Sequence, residues 1–147
     1  MSGVIHFYST RGEYGAFCNF AAYRVHLKDK AWSTSEHYFQ AQKFAGTPHE
    51  EQVRLAKTPA IAAELGRSRK LPLRKDWESV KLGIMREVVE AKFRQHAELR
   101  TLLLSTGDAE LVEHTDRDAY WGDGGDGSGH NHLGHILMAV REALRDD

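Results

Sequence analysis

The segment WSTSEHYFQAQKF sets Glu36, Gln40 and Lys43 at i, i+4 and i+7, so a helix there carries a carboxylate, an amide and an amine on one stripe. His37, Tyr38, Phe39 and Phe44 leave that helix little face for bulk water, and the polar stripe reads as the lining of a cleft. A carboxylate in such a place is a candidate general acid, general base or cation stabiliser. The plainer alternative is that Glu36 favours the positive end of its helix, a surface effect of about 0.3–1 kcal/mol. Lys43 is either an amine that burial makes nucleophilic or the ion-pair partner of Glu36.

The second cluster is DAYWGDGGDGSGHNHLG, in which five glycines lie between Gly122 and Gly129 and the Tyr120–Trp121 pair precedes them. Backbone N–H groups of a glycine-rich loop can approach a phosphate, and a following helix N-terminus capped by Asn131 adds a favourable potential. Gly122 and Gly124 are therefore expected to bind substrate through the backbone. Asp123 and Asp126 would repel a phosphate beside them, so Asp123 is expected to face the reacting carbon or a water instead. A plain flexible loop is the alternative.

Gly122, Gly124 and Gly127 match G-x-G-x-x-G, but no strand follows the helix to complete the βαβ unit of a dinucleotide site. His130, His132 and His135, with His114 as a fourth, lack the spacing that makes zinc specific, and Gly134 stands where a calcium loop needs Glu. No metal and no cofactor are expected. Arg67, Arg69, Lys70, Arg74 and Lys75 form a basic run before Trp77. Arginine forks suit phosphate and an indole stacks on a flat heterocycle, whereas a solvated charged face and a core tryptophan are the structural alternatives. Cys18 reads as a small buried residue.

The elements that must position these groups follow from local pattern. Val4–Tyr8 and Tyr23–Leu27 read as strands, with a hairpin tip at Lys28, Asp29 and Lys30. Ser33, Thr34 and Ser35 offer N-caps for a helix through Ala45, closed by Gly46. Two short helices follow, one after Pro48 and one from Pro59 to Leu65 that Gly66 ends. Apolar spacing predicts a long helix over Trp77–Gln95, a further helix over His96–Leu104, a strand at Glu110–Thr115 and a last helix carrying Leu133, Ile136, Leu137, Val140 and Leu144. Strands and helices do not alternate as in a parallel α/β sheet, so the fold class is α+β, a helix-rich domain with a small antiparallel β component.

At 147 residues the chain is expected to form one domain spanning 1–147, with 41% hydrophobic and 28% charged residues. Its formal charge of −1 argues against a protein that coats nucleic acid or an anionic membrane. The start MSGVIHFYSTRGEYG lacks a secretory pattern, no stretch is long and apolar enough to span a bilayer, and one cysteine allows no internal disulfide. A soluble cytoplasmic protein is expected; oligomeric state is not legible.

With these residues in view the chain resembles the NADAR, or YbiA-like, family. The matching stretches are FYS, GAFCNFAAY, WSTSEHYFQAQKF, GR…PLRKDWESVK, KFRQHAELRTLLLSTG, LVEHT and YWGDGGDGSGHNHLG, in order along nearly the whole chain. The resemblance implies a compact α+β domain with N-glycosidase activity. For the bacterial type it implies phosphorylated ribosylaminopyrimidines of early riboflavin synthesis as substrates, cleaved to ribose 5-phosphate and an aminopyrimidine. Related members remove ADP-ribose from modified guanine, and a binder without catalysis is the remaining alternative. The family's functional acidic positions fall on Glu36 and Asp123 and its tryptophan on Trp77; Lys43 is implicated as well, and Asn19 in GAFCNFAAY joins the substrate-binding set.

Cleavage of a ribosyl C–N bond builds positive charge on the sugar and needs a base for water. Glu36 is expected to stabilise the oxocarbenium-like centre and Asp123 to activate water, the two acids meeting at one sugar-sized hollow, or the reverse assignment holds. Trp77 with Tyr120 or Trp121 would hold the heterocycle, while Arg67, Arg74 and the glycine loop compete for the phosphate. The alternative mechanism is attack by Lys43 on an open-chain aldehyde to form a Schiff base.

Overall fold

The structure is a computed structural model describing residues 3–146. In chain order its elements are β1 (Val4–Phe7), a 3-10 turn at Gly15–Phe17, β2 (Val25–Leu27), β3 (Lys30–Trp32), α1 (Ser35–Gln42) and α2 (Pro48–Arg54). There follow α3 (Pro59–Arg67), α4 (Trp77–Gln95), α5 (Ala97–Ser105), β4 (Glu110–Glu113) and α6 (His132–Arg145). The class is α+β and helix-rich. Two units are distinguished: one runs from Asn19 to Lys92, and the other joins the chain up to Cys18 with the chain from Phe93 onward.

In the Asn19–Lys92 unit, β2 and β3 pair antiparallel with Val25 opposite Trp32, and this hairpin is the antiparallel component. Its tip turns on Lys28 and Asp29, at φ 56° and 61°, which gives the twist a two-residue hairpin needs. Thr34 caps α1 by accepting from the His37 amide at 3.2 Å. Every residue of α1 is buried, the polar Ser35, Glu36, His37, Gln40 and Gln42 included. The helix ends at Gln42 instead of Ala45, because the amides of Lys43, Phe44 and Ala45 tighten to carbonyls three residues back before Gly46 turns the chain at φ 81°.

Thr47 and Thr58 cap α2 and α3, each with proline in the first turn. Gly66 was expected to end α3, yet the helix runs on to Arg67. The glycine is there for packing, since a Cβ on it would lie 2.0 Å from Oε1 of Gln40.

In the other unit β1 pairs with β4 in parallel, Val4 opposite Glu110 and Phe7 opposite Glu113. A parallel pair requires a long crossover, which a hairpin-based reading does not foresee. The strand expected to reach Thr115 stops at Glu113. Leu99, Leu103, Leu111, Val112, Leu133, Leu137, Val140 and Leu144 form the buried apolar set of α5, β4 and α6. Buried Arg141 is satisfied by Thr106 Oγ1 at 2.9 Å and the Ala109 carbonyl at 2.8 Å. Among the described residues no helix is long and apolar enough to cross a membrane.

Candidate active site

Glu36 is 7% exposed in the first turn of α1, where its backbone N–H donates to the Asn19 carbonyl at 3.2 Å. Its Oε2 accepts from Nε2 of Gln40 at 2.7 Å, one helical turn on, as the i, i+4 spacing requires. Gln40 is itself buried, and among the described residues its Oε1 has no hydrogen-bond donor. Asn19 is buried and engaged within the protein at both ends of its amide. Its Oδ1 accepts from Ser35 Oγ at 2.8 Å and its Nδ2 lies 3.4 Å from Met85 Sδ, so it fastens the start of α1.

Lys43 follows α1 directly, and its Nζ donates to the Gly66 carbonyl at 3.2 Å. The ammonium also lies 6.0 Å from the ring centre of Phe39 and 5.7 Å from that of Trp77. Burial pushes its pKa below the ordinary lysine value; the charge of Glu36 opposes that shift and the charge of Arg67 adds to it. Carboxylate, amide and amine thus share one neighbourhood, as their spacing implied. Trp77 is 5% exposed and tilts on Phe39 with ring centres 5.1 Å apart, so its packing role is established by geometry. Of the two arginines, Arg74 has its fork closed on Asp76, at 2.6 and 3.0 Å, and reaches the Gln42 carbonyl at 3.3 Å. Arg67 is exposed at the end of α3.

Asp123 lies in the other unit. It is buried and ties together the segment after β4: Oδ2 lies 2.8 Å from His114 Nδ1, and Oδ1 accepts from the amides of Thr115 at 3.0 Å and Gly125 at 2.9 Å. The His114 hydrogen bond, with help from the two amides, holds the carboxyl at about 2, well below its ordinary value. A carboxylate so bound is ionised and a weak base, which departs from the expectation that it faces the water directly.

The glycine loop also departs from the phosphate cradle. The Gly124, Gly125 and Gly129 amides donate to Asp118 O, Asp123 Oδ1 and Asp123 O. Those of His132 and Leu133, at the start of α6, donate to the Tyr120 and Trp121 carbonyls. Asn131 does not cap the helix with its side chain; at φ 52° it bridges to β4, accepting from the Glu113 amide and donating to the Leu111 carbonyl, both at 2.9 Å. The glycines are needed by the turn itself. Gly124, Gly125 and Gly127 have φ of 75–90°, and a Cβ on Gly122 would meet Thr115 Cγ2 at 2.8 Å.

Tyr120 and Trp121 are half-buried and meet edge to face at 4.9 Å, with His132 4.4 Å from the Tyr120 ring. His130 stacks on His132 at 5.2 Å. Among the described residues no group of three or more His, Cys, Asp or Glu could hold a metal ion. His114 lies just past β4 and ahead of the aspartate loop, a position that marks it as more than a candidate metal ligand.

The NADAR domain model matches residues 6–145, and the chain belongs to the NADAR family. N-glycosidase YbiA of Escherichia coli (strain K12) is 57% identical over 141 residues, covering 96% of this chain and 88% of that protein. The NMR structure of E. coli YbiA matches with a TM-score of 0.92 at 56% identity, over 99% of this chain and 88% of that one. Riboflavin biosynthesis protein VVA0006 of Vibrio vulnificus (strain YJ016) is 43% identical over 146 residues, 99% of this chain and 40% of that protein. With the family and these levels of identity, the chain is an N-glycosidase.

Proposed function

We propose that this N-glycosidase hydrolyses the ribosyl C–N bond of phosphorylated ribosylaminopyrimidines, releasing ribose 5-phosphate and an aminopyrimidine. The observation that carries the reading is the buried carboxylate of Glu36, held by Gln40 on a helix with no solvent face and with the charge of Lys43 nearby. An anion preorganised away from water is what a developing oxocarbenium centre requires. The riboflavin-biosynthesis name of the Vibrio relative supports the substrate class.

In this reading Glu36 stabilises the sugar cation, and Asp123 belongs to the hydrolytic machinery through its hydrogen-bonded partners, not as the base itself. Arg67, whose exposed side chain has no hydrogen-bonded partner among the described residues, takes the phosphate, whereas the fork of Arg74 is closed on Asp76. Lys43, held under Trp77 and Phe39, orders the charge around Glu36 and is not the nucleophile. Tyr120 and Trp121 supply partly exposed aromatic faces for the heterocycle. Turnover is small-molecule chemistry in a soluble compartment, the cytoplasm.

The test is mass-spectrometric detection of ribose 5-phosphate from freshly made substrate, with wild type beside Glu36→Ala and Asp123→Ala. Positioned acid–base and electrostatic groups contribute about 10²–10⁴-fold, so both variants should be nearly silent. Equal rates in all three would reject the assignment. Release of ADP-ribose from modified guanine, with no turnover of the pyrimidine, would move the chain to the other substrate class, and no turnover of either would make it a binder.

A further inference from the structure

His114 and Asp123 form a pair whose geometry assigns them unequal tasks. The imidazole is half exposed, at 51%, whereas the carboxylate is 8% exposed. Asp123 has both oxygens engaged, by His114 Nδ1 on one side and by the amides of Thr115 and Gly125 on the other. To accept a proton from water it would have to give up one of these bonds. An ionised carboxylate at Nδ1 selects the tautomer with its proton there, which leaves Nε2 as an acceptor. Among the described residues that nitrogen has no partner.

The ring stands at an open cleft of about 470 Å³ lined by Tyr8, His114, Thr115, Asp116, Arg117 and Gly125. The titratable and charged groups facing it are Asp123 at Nδ1, His6 of β1 with ring centres 4.9 Å apart, and Tyr8, Asp116 and Arg117 around the cleft.

We propose that His114 is the general base of the hydrolysis and that Asp123 is its positioning residue. The inference deepens the N-glycosidase reading and rests on it. Nε2 takes a proton from water as the water oxygen bonds to the anomeric carbon. The C–N bond breaks with its electron pair passing to the leaving nitrogen, and the imidazolium returns the proton to that nitrogen. The carboxylate at Nδ1 offsets the charge carried between the two transfers.

The test is kcat/KM against pH for wild type, His114→Gln and Asp123→Asn on the ribosylaminopyrimidine phosphate. His114→Gln should lose about 10²–10⁴-fold and the acidic limb of the profile. Asp123→Asn should retain that limb at a reduced rate, because the amide no longer fixes the tautomer that leaves Nε2 as the acceptor. Imidazole added to His114→Ala should restore part of the rate. His114→Gln within threefold of wild type, with its limb intact, would overturn the proposal. A second readout needs no variant to fold: the imidazole resonances of His114 in wild type should shift on titration with ribose 5-phosphate. Wild-type inactivity on the pyrimidine would count against the substrate reading alone, and the titration would then decide, with unchanged resonances at millimolar ligand rejecting the role of His114.

Discussion

Gln40 donates from Nε2 to Glu36 Oε2 over 2.7 Å while its Oε1 occupies the space a Cβ at position 66 would need. The orientation of the carboxylate is thereby coupled to the absence of a side chain on α3. Gly66→Ala should destabilise the protein by about 1–3 kcal/mol, because the buried amide has nowhere better to go. In a Gln40→Ala background the cost should fall but not vanish, since the amide is gone while the Cβ left at position 40 would still lie 2.9 Å from the new methyl. A double-mutant cycle by urea unfolding measures this, and equal costs in both backgrounds would show that the close approach is not what selects glycine.

Lys43 offers a pH signature. Burial lowers its pKa, so the folded state binds that proton less tightly than the unfolded chain does. The unfolded state then holds more protons between the lowered and the ordinary lysine values, and stability rises with pH across that window. Wild type should gain on Lys43→Met as pH increases from neutrality toward the ordinary lysine range. Denaturation midpoints at several pH values give the comparison, and a gap that widens the other way would mean the charged amine is favoured by folding. Borohydride added during turnover should trap no sugar on wild type, as direct hydrolysis requires.

The two arginines should separate by kinetics. Arg74 is committed to Asp76 and Gln42, whereas Arg67 stands exposed at the end of α3. Arg67→Ala should raise KM about tenfold, equivalent to 1.4 kcal/mol, with little change in kcat. Arg74→Ala should act mainly on stability, and a larger KM effect there would reverse the phosphate assignment.

Local patterning made most elements legible. Thr34 ahead of a buried run, Pro48 and Pro59 in first turns, and the apolar spacing around Leu133–Leu144 each carry their own physical signal. The stripe of Glu36, Gln40 and Lys43 was legible for the same reason, because one helix places all three. What was not legible depends on partners distant in sequence. The parallel pairing of Val4–Phe7 with Glu110–Glu113 leaves no local mark, nor does the approach of Gln40 to Gly66. Composition does not show where the loop amides go: those of Gly124, Gly125 and Gly129 donate to Asp118 and Asp123. The role of Asp123 changed with its partners, since its three hydrogen bonds became visible only once β4 and the loop were folded together.

Asp123 should also govern acid stability. Its folded pKa is held at about 2, below the value in the unfolded chain, so its stabilisation is present above the unfolded value and is lost as pH falls through about 2. At neutral pH Asp123→Asn should cost about 1.5–3 kcal/mol, the range for hydrogen bonds to a charged group. That cost should shrink steadily below the ordinary aspartate range, leaving wild type and variant alike in strong acid. Unfolding curves from pH 7 downward test it, and a difference that stays constant would place the effect in packing and not in charge.

Gly134 poses the sharpest contrast between local and tertiary reasoning. It lies in the first turn of α6, where replacing glycine by alanine ordinarily favours a helix by about 1 kcal/mol. A Cβ there would sit 2.0 Å from the Leu111 carbonyl oxygen and 2.4–2.5 Å from the amide group of Asn131. The carbonyl belongs to the backbone of β4 and accepts from Asn131 Nδ2, so neither neighbour can move without opening the other. Gly134→Ala should therefore destabilise by at least about 3 kcal/mol, at the upper end for overpacking, and displace α6 from β4. Hydrogen exchange at the Glu113 amide, which donates to Asn131 Oδ1, reports that displacement directly. A stable variant with unchanged protection at Glu113 would show that helix and strand are not seated against each other as tightly as this spacing requires.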